Sequence, residues 1–387
     1  MRDIAIVAGV RTPFGRAVKG TLKDTRPEEM AAPLIAELLR RVPQVKAAEI
    51  EDLVVGCAMP EGEQGLNIAR VIGLLGGLPV EVPAATVNRF CSSGLQSIGM
   101  VASRMAAGEI SVGVAGGVES MSLVPMGGNK TSLNPELAER WPEVYMPMGL
   151  TAELLARRFE VSREEQDRFA LASHQKAVAA QQAGRFQSEI LSIEAVAYEA
   201  GRRKAVTLAA DELPRGDTAL EKLAALKPVF DPKGTVTAGN ASPLTDGAAM
   251  VLLMTREEAE KRQVKALGFF RQLVVKGVPP EIMGVGPVPA IRALLTRAGL
   301  RMAEIDLFEV NEAFAAQAAY CGRELAIPPE KLNVNGGAIA IGHPLGATGT
   351  RQVITALGEL GRRGGRWAVC SMCVGGGMGA AALLERA

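Results

Sequence analysis

The sequence predicts an α/β fold, and three observations support this prediction. Short runs rich in valine and isoleucine alternate with longer patterns rich in alanine and leucine, which is typical of layered α/β proteins rather than of helical bundles or β-sandwiches. A segment near residue 33 is repeated near residue 289, which indicates two similar units. The 387 residues also provide enough chain for two or three domains of about 150 residues each.

The predicted elements follow from residue type and spacing along the chain. The runs interpreted as strands contain β-branched and small apolar residues that suit a pleated sheet, and they cover residues 4–7, 53–55, 84–87, 112–115, 251–254, 308–310 and 367–369. The patterns interpreted as helices are rich in strong helix formers, and they cover residues 33–41, 93–107, 289–298 and 348–360.

The internal repeat places two reactive segments at equivalent positions. Residues 33–53 resemble residues 289–307 at an offset of 256, which is 289 − 33. The same offset moves Cys91 to position 347, inside the glycine-rich run 342–349. Two fused copies of one α/β unit would bring these segments together near a pseudo-twofold axis. The alternative is a chance similarity between amphipathic helices.

The repeat divides the chain into an N-terminal half, residues 1–265, and a C-terminal half, residues 266–387. Residues 121–243 fit neither copy and are interpreted as an insertion, either over an active site or as a solvated excursion. They contain a Pro/Met/Gly-rich loop (124–149), a helix that begins after Ser162 and a basic-polar segment (202–227). We expect Ser162 to cap this helix, with Glu165 completing a capping box.

Composition excludes several classes of protein. The 43 Lys and Arg nearly cancel the 42 Asp and Glu, and aromatic residues make up 4%, so nothing indicates a nucleic-acid partner. Residues 2–10 resemble a strand rather than a signal peptide, and no run approaches the roughly 20 apolar residues of a membrane span. Five cysteines, an odd number, indicate free thiols in a reducing cytoplasm.

Cys91 is the first candidate for chemistry. Residues 88–94 follow an apolar strand and open a helix. A helix N-terminus lowers the pKa of a thiol and supplies N–H donors for an oxyanion. An inert buried cysteine is the alternative.

His343 is one of only two histidines and lies in a glycine-rich segment before Pro344. Glycines allow the backbone to approach a ligand, and an imidazole held there suits proton transfer or hydrogen bonding to a substrate. A buried structural histidine is the alternative. The other histidine, His174, lies in a polar helical pattern and is expected at the surface.

Cys370 and Cys373 form a Cys-x-x-Cys pair before three glycines. A metal site is not expected, because zinc needs about four ligands and no second pair or histidine cluster exists. The glycines do not indicate a dinucleotide site, because too few residues follow for the next strand and its acidic residue. A second catalytic thiol remains open.

Asn311 and Glu312 follow an apolar strand. Asn311 could hold a water or a substrate oxygen, and Glu312 could orient a neighbouring group. A helix cap explains this pair equally well.

Together these segments resemble the thiolase family, over essentially the whole chain. The resemblance implies two similar five-stranded halves in α-β-α-β-α layers, an inserted loop domain that binds coenzyme A, and a homodimer or homotetramer. It implies CoA and acyl-CoA as substrates and neither a metal nor another cofactor. The segments that carry it are residues 88–94, 237–242, 311–314, 335–349 and 373–379.

The resemblance also implies roles for individual residues. Cys91 would be the acyl-accepting nucleophile and Cys373 the second acid and base. His343 would activate Cys91 and bind one oxyanion together with a water held by Asn311. The backbone N–H groups of Cys91 and Gly375 would bind the other oxyanion. The contacts implied for coenzyme A are Ser242 with pantetheine, Arg215 with adenine or phosphate, and Met148, Phe230 and Phe314 as apolar walls.

The implied reaction is cleavage of a 3-ketoacyl-CoA by CoA, as in fatty-acid β-oxidation. Residues 145–153 resemble the degradative branch, because the biosynthetic branch more often has histidine where Pro147 stands and glycine where Pro243 stands. Acetoacetyl-CoA synthesis by a biosynthetic thiolase is the nearer alternative.

Two other classes fit less well. A decarboxylating ketoacyl synthase would typically use two histidines, whereas Cys373 stands in the second position here. A non-catalytic acyl-CoA or lipid-binding relative would be expected to lack Cys91, His343 or Cys373, and all three are present.

Overall fold

The computed structural model describes residues 3–199 and 201–387. Its strands are β1 (Ile4–Arg11), β2 (Gly15–Arg16), β3 (Leu53–Gly56), β4 (Ala84–Val87), β5 (Val112–Ser120), β6 (Ile193–Glu199), β7 (Arg202–Leu208), β8 (Thr245–Thr255), β9 (Gly268–Gly277), β10 (Leu307–Val310), β11 (Trp367–Val374) and β12 (Met378–Arg386). Its α-helices are α1 (Pro27–Arg41), α2 (Ile68–Leu75), α3 (Ser93–Ala107), α4 (Pro135–Arg140), α5 (Met148–Arg158), α6 (Arg163–Gln182), α7 (Leu220–Ala224), α8 (Arg256–Lys261), α9 (Pro287–Ala298), α10 (Ala315–Glu324), α11 (Ala338–Ile341) and α12 (Leu345–Arg363).

Ten strands form one large sheet whose strand order repeats. The N-terminal part runs β4-β3-β5-β8-β1, with parallel pairing up to β5 and antiparallel pairing beyond it. The C-terminal part runs β10-β11-β12-β9 with the same change from parallel to antiparallel pairing. An isolated parallel bridge between Phe308 and Leu332 stands where the N-terminal part has β4. The fifth strand expected in the second half is therefore reduced to this bridge.

The two parts of the sheet enclose a central layer of helices. Strands alternate their side chains between faces, and one face of both parts packs against α3 and α12, for example through Ile6, Val251 and Met372. The opposite face of the N-terminal part packs against α1 and α2, and that of the C-terminal part packs against α9. The order α-β-α-β-α is thus observed, and β1 pairs with β9 where the two parts join.

The insertion has more regular structure than its composition indicated. The basic-polar segment 202–227 contains β7, which pairs with β6 as a hairpin, and α7. The loop 124–149 contains α4 and a 3₁₀ turn, Pro142–Tyr145. Ser162 caps α6 by accepting the N–H of Glu165 at 3.1 Å, as predicted. The Glu165 side chain pairs with Arg323 instead of returning to the Ser162 backbone N–H, so only the first half of the predicted capping box is formed.

Every predicted strand and helix lies within an observed element, and two agree at both ends: β4 and α3. The prediction missed β2, β9 and β12 in the main sheet. Among the helices of residues 3–199 and 201–387, none combines the length and apolar character needed to cross a membrane.

Candidate active site

The site lies where the N-terminal ends of α3 and α12 cross. The crossing is close because glycines stand at the contacts: a Cβ at Gly94 would lie 2.4 Å from the carbonyl oxygen of Gly346, and one at Gly349 would lie 2.7 Å from the nitrogen of Leu95. The Thr350 hydroxyl donates a hydrogen bond to the Gly94 carbonyl at 3.2 Å. The two glycine-rich segments related by the repeat therefore meet.

Cys91 lies in a single 3₁₀ turn, Phe90–Ser92, between β4 and α3. Phe90 has a φ of +44°, a conformation that costs energy in a residue with a bulky side chain. The turn is held by hydrogen bonds: the Phe90 N–H donates to Asn88 Oδ1 at 2.8 Å, and the Ser93 hydroxyl donates to the Phe90 carbonyl at 2.6 Å. Cys91 is thus fixed at the helix entrance with only 3% of its surface exposed.

Burial has the largest effect on the pKa of the Cys91 thiol. Loss of solvation raises the pKa of Cys91 to about 12, and the buried Glu119 carboxylate acts in the same direction. The backbone N–H groups of Gly375 and of Cys91 itself oppose this increase in pKa by donating to the sulfur. The expectation that the helix N-terminus lowers the pKa is therefore wrong in net effect, because desolvation outweighs the donors. A base would therefore be needed to form the Cys91 thiolate at neutral pH.

His343 is buried two residues before α12 and is held at both ring nitrogens. Nδ1 lies 2.6 Å from Thr348 Oγ1, and Nε2 lies 3.2 Å from Asn311 Nδ2. The Thr348 hydroxyl donates to the Pro344 carbonyl at 2.9 Å, so we assign the ring proton to Nδ1, which leaves the Nε2 lone pair as acceptor. Burial, followed by the charge of Arg351, lowers the pKa of His343 to about 3. The imidazole is a neutral base.

Cys373 lies near the end of β11 and is fully buried. It packs with apolar residues that include Met148 and Phe314. Burial and then the nearby Cys91 raise the pKa of Cys373 well above its ordinary value, which places the two sulfurs within electrostatic reach of each other. Gly375 follows in the turn between β11 and β12 and donates toward Cys91.

Asn311 and Glu312 have different partners. Asn311 donates its backbone N–H to the Ser371 carbonyl at 2.8 Å and presents its side chain to His343. Among residues 3–199 and 201–387, its Oδ1 atom is buried without a hydrogen-bond partner. The Glu312 carboxylate accepts hydrogen bonds from Ser173, Asn333 Nδ2 at 2.8 Å and the Ile339 N–H at 3.2 Å. Glu312 thus orients the segment that leads to His343.

The structure brings four of the five candidate coenzyme A contacts to one side of the thiols. Met148 Cε would lie 2.6 Å from a Cβ placed at Gly375. The rings of Phe230 and Phe314 are edge to face, with centroids 6.1 Å apart. Ser242 is half-buried beside them and donates its N–H to the Ala313 carbonyl at 3.0 Å. The fifth candidate, Arg215, is exposed, and its backbone N–H donates to His174 Nδ1 at 3.2 Å.

The expectation that His174 is a surface residue is wrong. Its side chain is buried within the insertion, against the segment that contains Arg215, with 6% of the residue exposed. Burial, and then the charge of Arg215, lowers the pKa of His174 to about 4. The polar helical pattern was misleading because a later segment of the same insertion, at Arg215, lies against this face of α6.

Two residues at the site were missed. Thr348 fixes the His343 tautomer, and its position in the first turn of the helix after the histidine was the available signal. Glu119 accepts the N–H groups of Ala58 and Gly346, both at 2.8 Å, and so ties α12 to the N-terminal half. Nothing in the local sequence marks Glu119. Across residues 3–199 and 201–387, no group of three His, Cys, Asp or Glu is arranged to hold a metal ion.

Comparison with known proteins gives a consistent family assignment. Residues 4–257 match the family model described as thiolase, N-terminal domain, and residues 264–386 match thiolase, C-terminal domain. A 3-ketoacyl-CoA thiolase of Bacillus subtilis (strain 168) is 50% identical over 390 residues, covering 100% of both chains.

Solved structures agree with this assignment. The dimeric peroxisomal thiolase of Saccharomyces cerevisiae has a TM-score of 0.91 at 40% identity and covers 100% of this chain and 98% of its own. The acetyl-CoA acetyltransferase of Bacillus anthracis has a TM-score of 0.91 at 40% identity, covering 100% and 99%. The chain belongs to the thiolase family.

Proposed function

We propose that this protein is a 3-ketoacyl-CoA thiolase, an acetyl-CoA C-acyltransferase that cleaves 3-ketoacyl-CoA with CoA to give acyl-CoA and acetyl-CoA. The observation that carries the proposal is that Cys91 and His343 stand at the entrances of two helices that cross at Gly94 and Gly346, with Cys373 near enough for Cys91 to raise its pKa. The full-length identity of 50% with a 3-ketoacyl-CoA thiolase supports the substrate class.

In the first half of the proposed reaction, Cys91 becomes acylated. His343 Nε2 takes the proton from Cys91, and the sulfur attacks the 3-keto carbon. The bond between C2 and C3 then breaks, its electron pair remains on C2, and Cys373 delivers a proton to C2. Acetyl-CoA leaves, Cys373 remains as a thiolate, and the acyl group remains on Cys91.

In the second half, CoA gives its thiol proton to the Cys373 thiolate and attacks the acyl-enzyme. Cys91 leaves as a thiolate and regains its proton from His343. All three groups return to their starting protonation states, so no redox cofactor or metal is required by this balance. The requirement for two separate thiols follows from the two separate proton transfers.

Two different oxyanions arise in this sequence, and two sets of donors are proposed for them. His343 and a water held by Asn311 would stabilise the enolate oxygen of the acetyl thioester. The N–H groups of Cys91 and Gly375, which already point toward the Cys91 sulfur, would stabilise the tetrahedral oxyanion. Removing one such donor typically costs about 10²- to 10³-fold in rate.

The insertion, residues 121–243, is proposed to bind coenzyme A over the N-terminal half (1–265), with the C-terminal half (266–387) supplying His343 and Cys373. Ser242 would contact pantetheine, and Met148, Phe230 and Phe314 would form the walls next to the thiols. Arg215 would contact adenine or phosphate from its exposed position.

The biosynthetic direction is the second candidate, because an acetyl-CoA acetyltransferase has the same fold at a TM-score of 0.91. Pro147 and Pro243 favour the degradative branch. The deciding experiment measures thiolysis over a series of 3-ketoacyl-CoA chain lengths and, in parallel, condensation of acetyl-CoA. Thiolysis of substrates longer than acetoacetyl-CoA supports the proposal, and activity confined to acetoacetyl-CoA contradicts it.

We also propose that the protein acts in the cytoplasm as a homodimer or homotetramer. The exposed edge strand β4 and the apolar residues around α2 support an assembly: Leu66, Val71, Leu74, Leu75 and Val80 are each at least 40% exposed. The yeast neighbour is described as dimeric and peroxisomal. The free cysteines are consistent with a reducing compartment. Light scattering of the purified protein and fractionation of the source cells test these two statements.

A further inference from the structure

A buried ion pair lies close enough to His343 for its arginine to lower the pKa of the imidazole. Arg351 Nη1 donates to Glu309 Oε2 at 2.8 Å, and both side chains are 1% exposed. Arg351 belongs to α12, the helix that follows His343. Glu309 belongs to β10, the strand that precedes Asn311.

The ion pair and the His343–Asn311 contact join the same two segments of chain: α12 with the residues just before it, and β10 with the residues just after it. On α12, Thr348 and Arg351 are three residues apart and share a face. On β10 and its continuation, Glu309 and Asn311 are two residues apart and share a face. Thr348 holds His343 Nδ1 and so lies on the same side of α12 as Arg351, whose charge reaches the imidazole.

A third contact strengthens this link without involving the reacting groups. Gln352 Nε2 donates to the Glu309 carbonyl at 3.1 Å. Helix α12 thus contacts both the side chain and the backbone of Glu309. The chain continues past the end of β10 to Asn311, whose N–H donates to the Ser371 carbonyl.

Stability alone does not explain the ion pair. Only one hydrogen bond joins Arg351 to Glu309, and within the described part of the chain Arg351 Nε, Arg351 Nη2 and Glu309 Oε1 are buried without partners. Burying two charges costs more than such a contact commonly returns. Arg351 stands three residues after Thr348, the partner of the His343 ring, and this position gives the pair a different use.

We propose that Arg351 and Glu309 are positioning residues of the active site, whose ion pair fixes α12 against β10 and so holds the His343 imidazole at Asn311. The inference rests on the proposed thiolase function, because it concerns the base and oxyanion donor of that reaction. Neither residue touches the substrate. Their effect is exerted through His343 and Asn311.

The experiment compares three variants of the full-length protein. Arg351→Met combined with Glu309→Gln removes both charges without leaving one of them buried and unpaired. Arg351→Lys keeps the charge and one donor. Thr355→Val is the matched control: it lies one turn further along the same face of α12 and loses only a hydrogen bond to Glu189, 3.0 Å away.

With acetoacetyl-CoA and CoA, we expect the double variant to lose about 10²-fold in kcat, because misplacing a catalytic group by about 1 Å costs this much. Its KM should stay within about threefold of the original value, since the substrate contacts are unchanged. Arg351→Lys should recover most of the lost kcat, and Thr355→Val should retain kcat within about twofold.

Alkylation of Cys91 by iodoacetamide separates this inference from the proposed function. The double variant should react more slowly than the original protein, because His343 is displaced from its place as base, even if thiolysis itself is absent. Unchanged kcat and alkylation in the double variant would overturn the inference, as would an equal loss in Thr355→Val. If the double variant does not fold, Glu309→Asp is decisive: kcat falls at unchanged KM, or the inference is wrong.

Discussion

At the scale of single residues, the reactivity of Cys91 is the first prediction. We expect iodoacetamide to modify Cys91 before any other cysteine, and prior treatment with acetyl-CoA to block the modification by acetylating the same sulfur. Burial raises the pKa of Cys91 and of Cys321 alike to about 12 and that of Cys57 well above its ordinary value, so the expected preference comes from the proposed activation of Cys91 by His343. Peptide mapping measures the order of labelling. Modification of Cys57 or Cys321 ahead of Cys91 would contradict the assignment.

The second residue-scale prediction separates Cys373 from its neighbour on the same strand. Cys373→Ala should still allow acylation of Cys91 but should reduce thiolysis by about 10²- to 10⁴-fold, the usual contribution of a general acid or base. Cys370→Ala is the control, because Cys370 packs into the central core on the other face of β11. Steady-state rates and mass spectrometry of the acyl-enzyme provide the two measurements. Full turnover in Cys373→Ala would remove Cys373 from the mechanism.

The third residue-scale prediction concerns pH and His174. Its pKa of about 4 in the folded protein lies below the ordinary 6.5, so the unfolded chain binds the proton first as pH falls. The stability that neutral His174 provides is complete above pH 6.5 and is lost between 6.5 and about 4. The free-energy difference between the original protein and His174→Gln should therefore shrink from about pH 7.5 to about pH 5 in urea unfolding. A difference independent of pH would contradict the buried neutral state.

The candidate reactive side chains could be selected from the sequence because local motifs mark them. Cys91, His343 and Cys373 each lie within three residues of a glycine and near a predicted element. The partners that tune them could not be predicted, because they come from distant segments: Glu119 reaches Gly346 across the contact between the halves. The burial of His174 likewise depends on an insertion whose path no local pattern reveals.

At the scale of elements, the crossing of α3 and α12 gives a prediction with an internal control. A Cβ at Gly346 would lie 2.4 Å from the Val118 carbonyl oxygen and 2.6 Å from that of Gly56, and both atoms belong to the backbone and cannot move aside. Gly346→Ala should therefore destabilise the fold by about 1–3 kcal/mol and disturb His343.

Gly361 lies on the same helix and has open space around it. Gly361→Ala should stabilise the protein by about 0.5–1 kcal/mol through helix propensity. Chemical denaturation of both variants provides the test. Equal effects of the two substitutions would show that the crossing is not tightly packed.

The element boundaries illustrate which features a sequence pattern conveys. Helix α1 begins at Pro27, six residues before the predicted start at Pro33. Proline is favoured in the first turn of a helix, where Pro27 stands, whereas Pro33 lies inside the helix. Strand β12 was missed because its Gly-Ala-Ala-Ala run has no β-branched residues, and its strand conformation is imposed by pairing with β9 and β11. Tertiary pairing decides such segments.

At the scale of the whole molecule, the apolar surface around α2 predicts self-association. Leu66 is 97% exposed and Val80 is 71% exposed, beside the unpaired edge of β4, and an exposed sheet edge with apolar neighbours favours association. Val80→Lys together with Leu66→Asp should reduce the mass measured by light scattering to that of the 40.6 kDa monomer. Leu267→Asp, at a 45% exposed position far along the chain, is the control. An unchanged assembly would place the interface elsewhere.

The layered architecture could be predicted because alternation and repetition are global properties of the sequence. The joining of the sheet through β1 and β9 could not, because Ile4–Ile6 and Gly268–Phe270 carry no mark of pairing with each other. The single bridge in place of a fifth strand in the second half is also a product of the folded context.

The shared central layer has a consequence for how the polypeptide can be divided. Helix α12 belongs to the second half by sequence, yet it packs on α3 and on strands of the first half. Separate expression of fragments 1–265 and 266–387 should therefore yield two insoluble or unstructured pieces, and mixing them during refolding should reconstitute one particle. The two halves follow one another along the chain, but we expect them to fold as one cooperative unit.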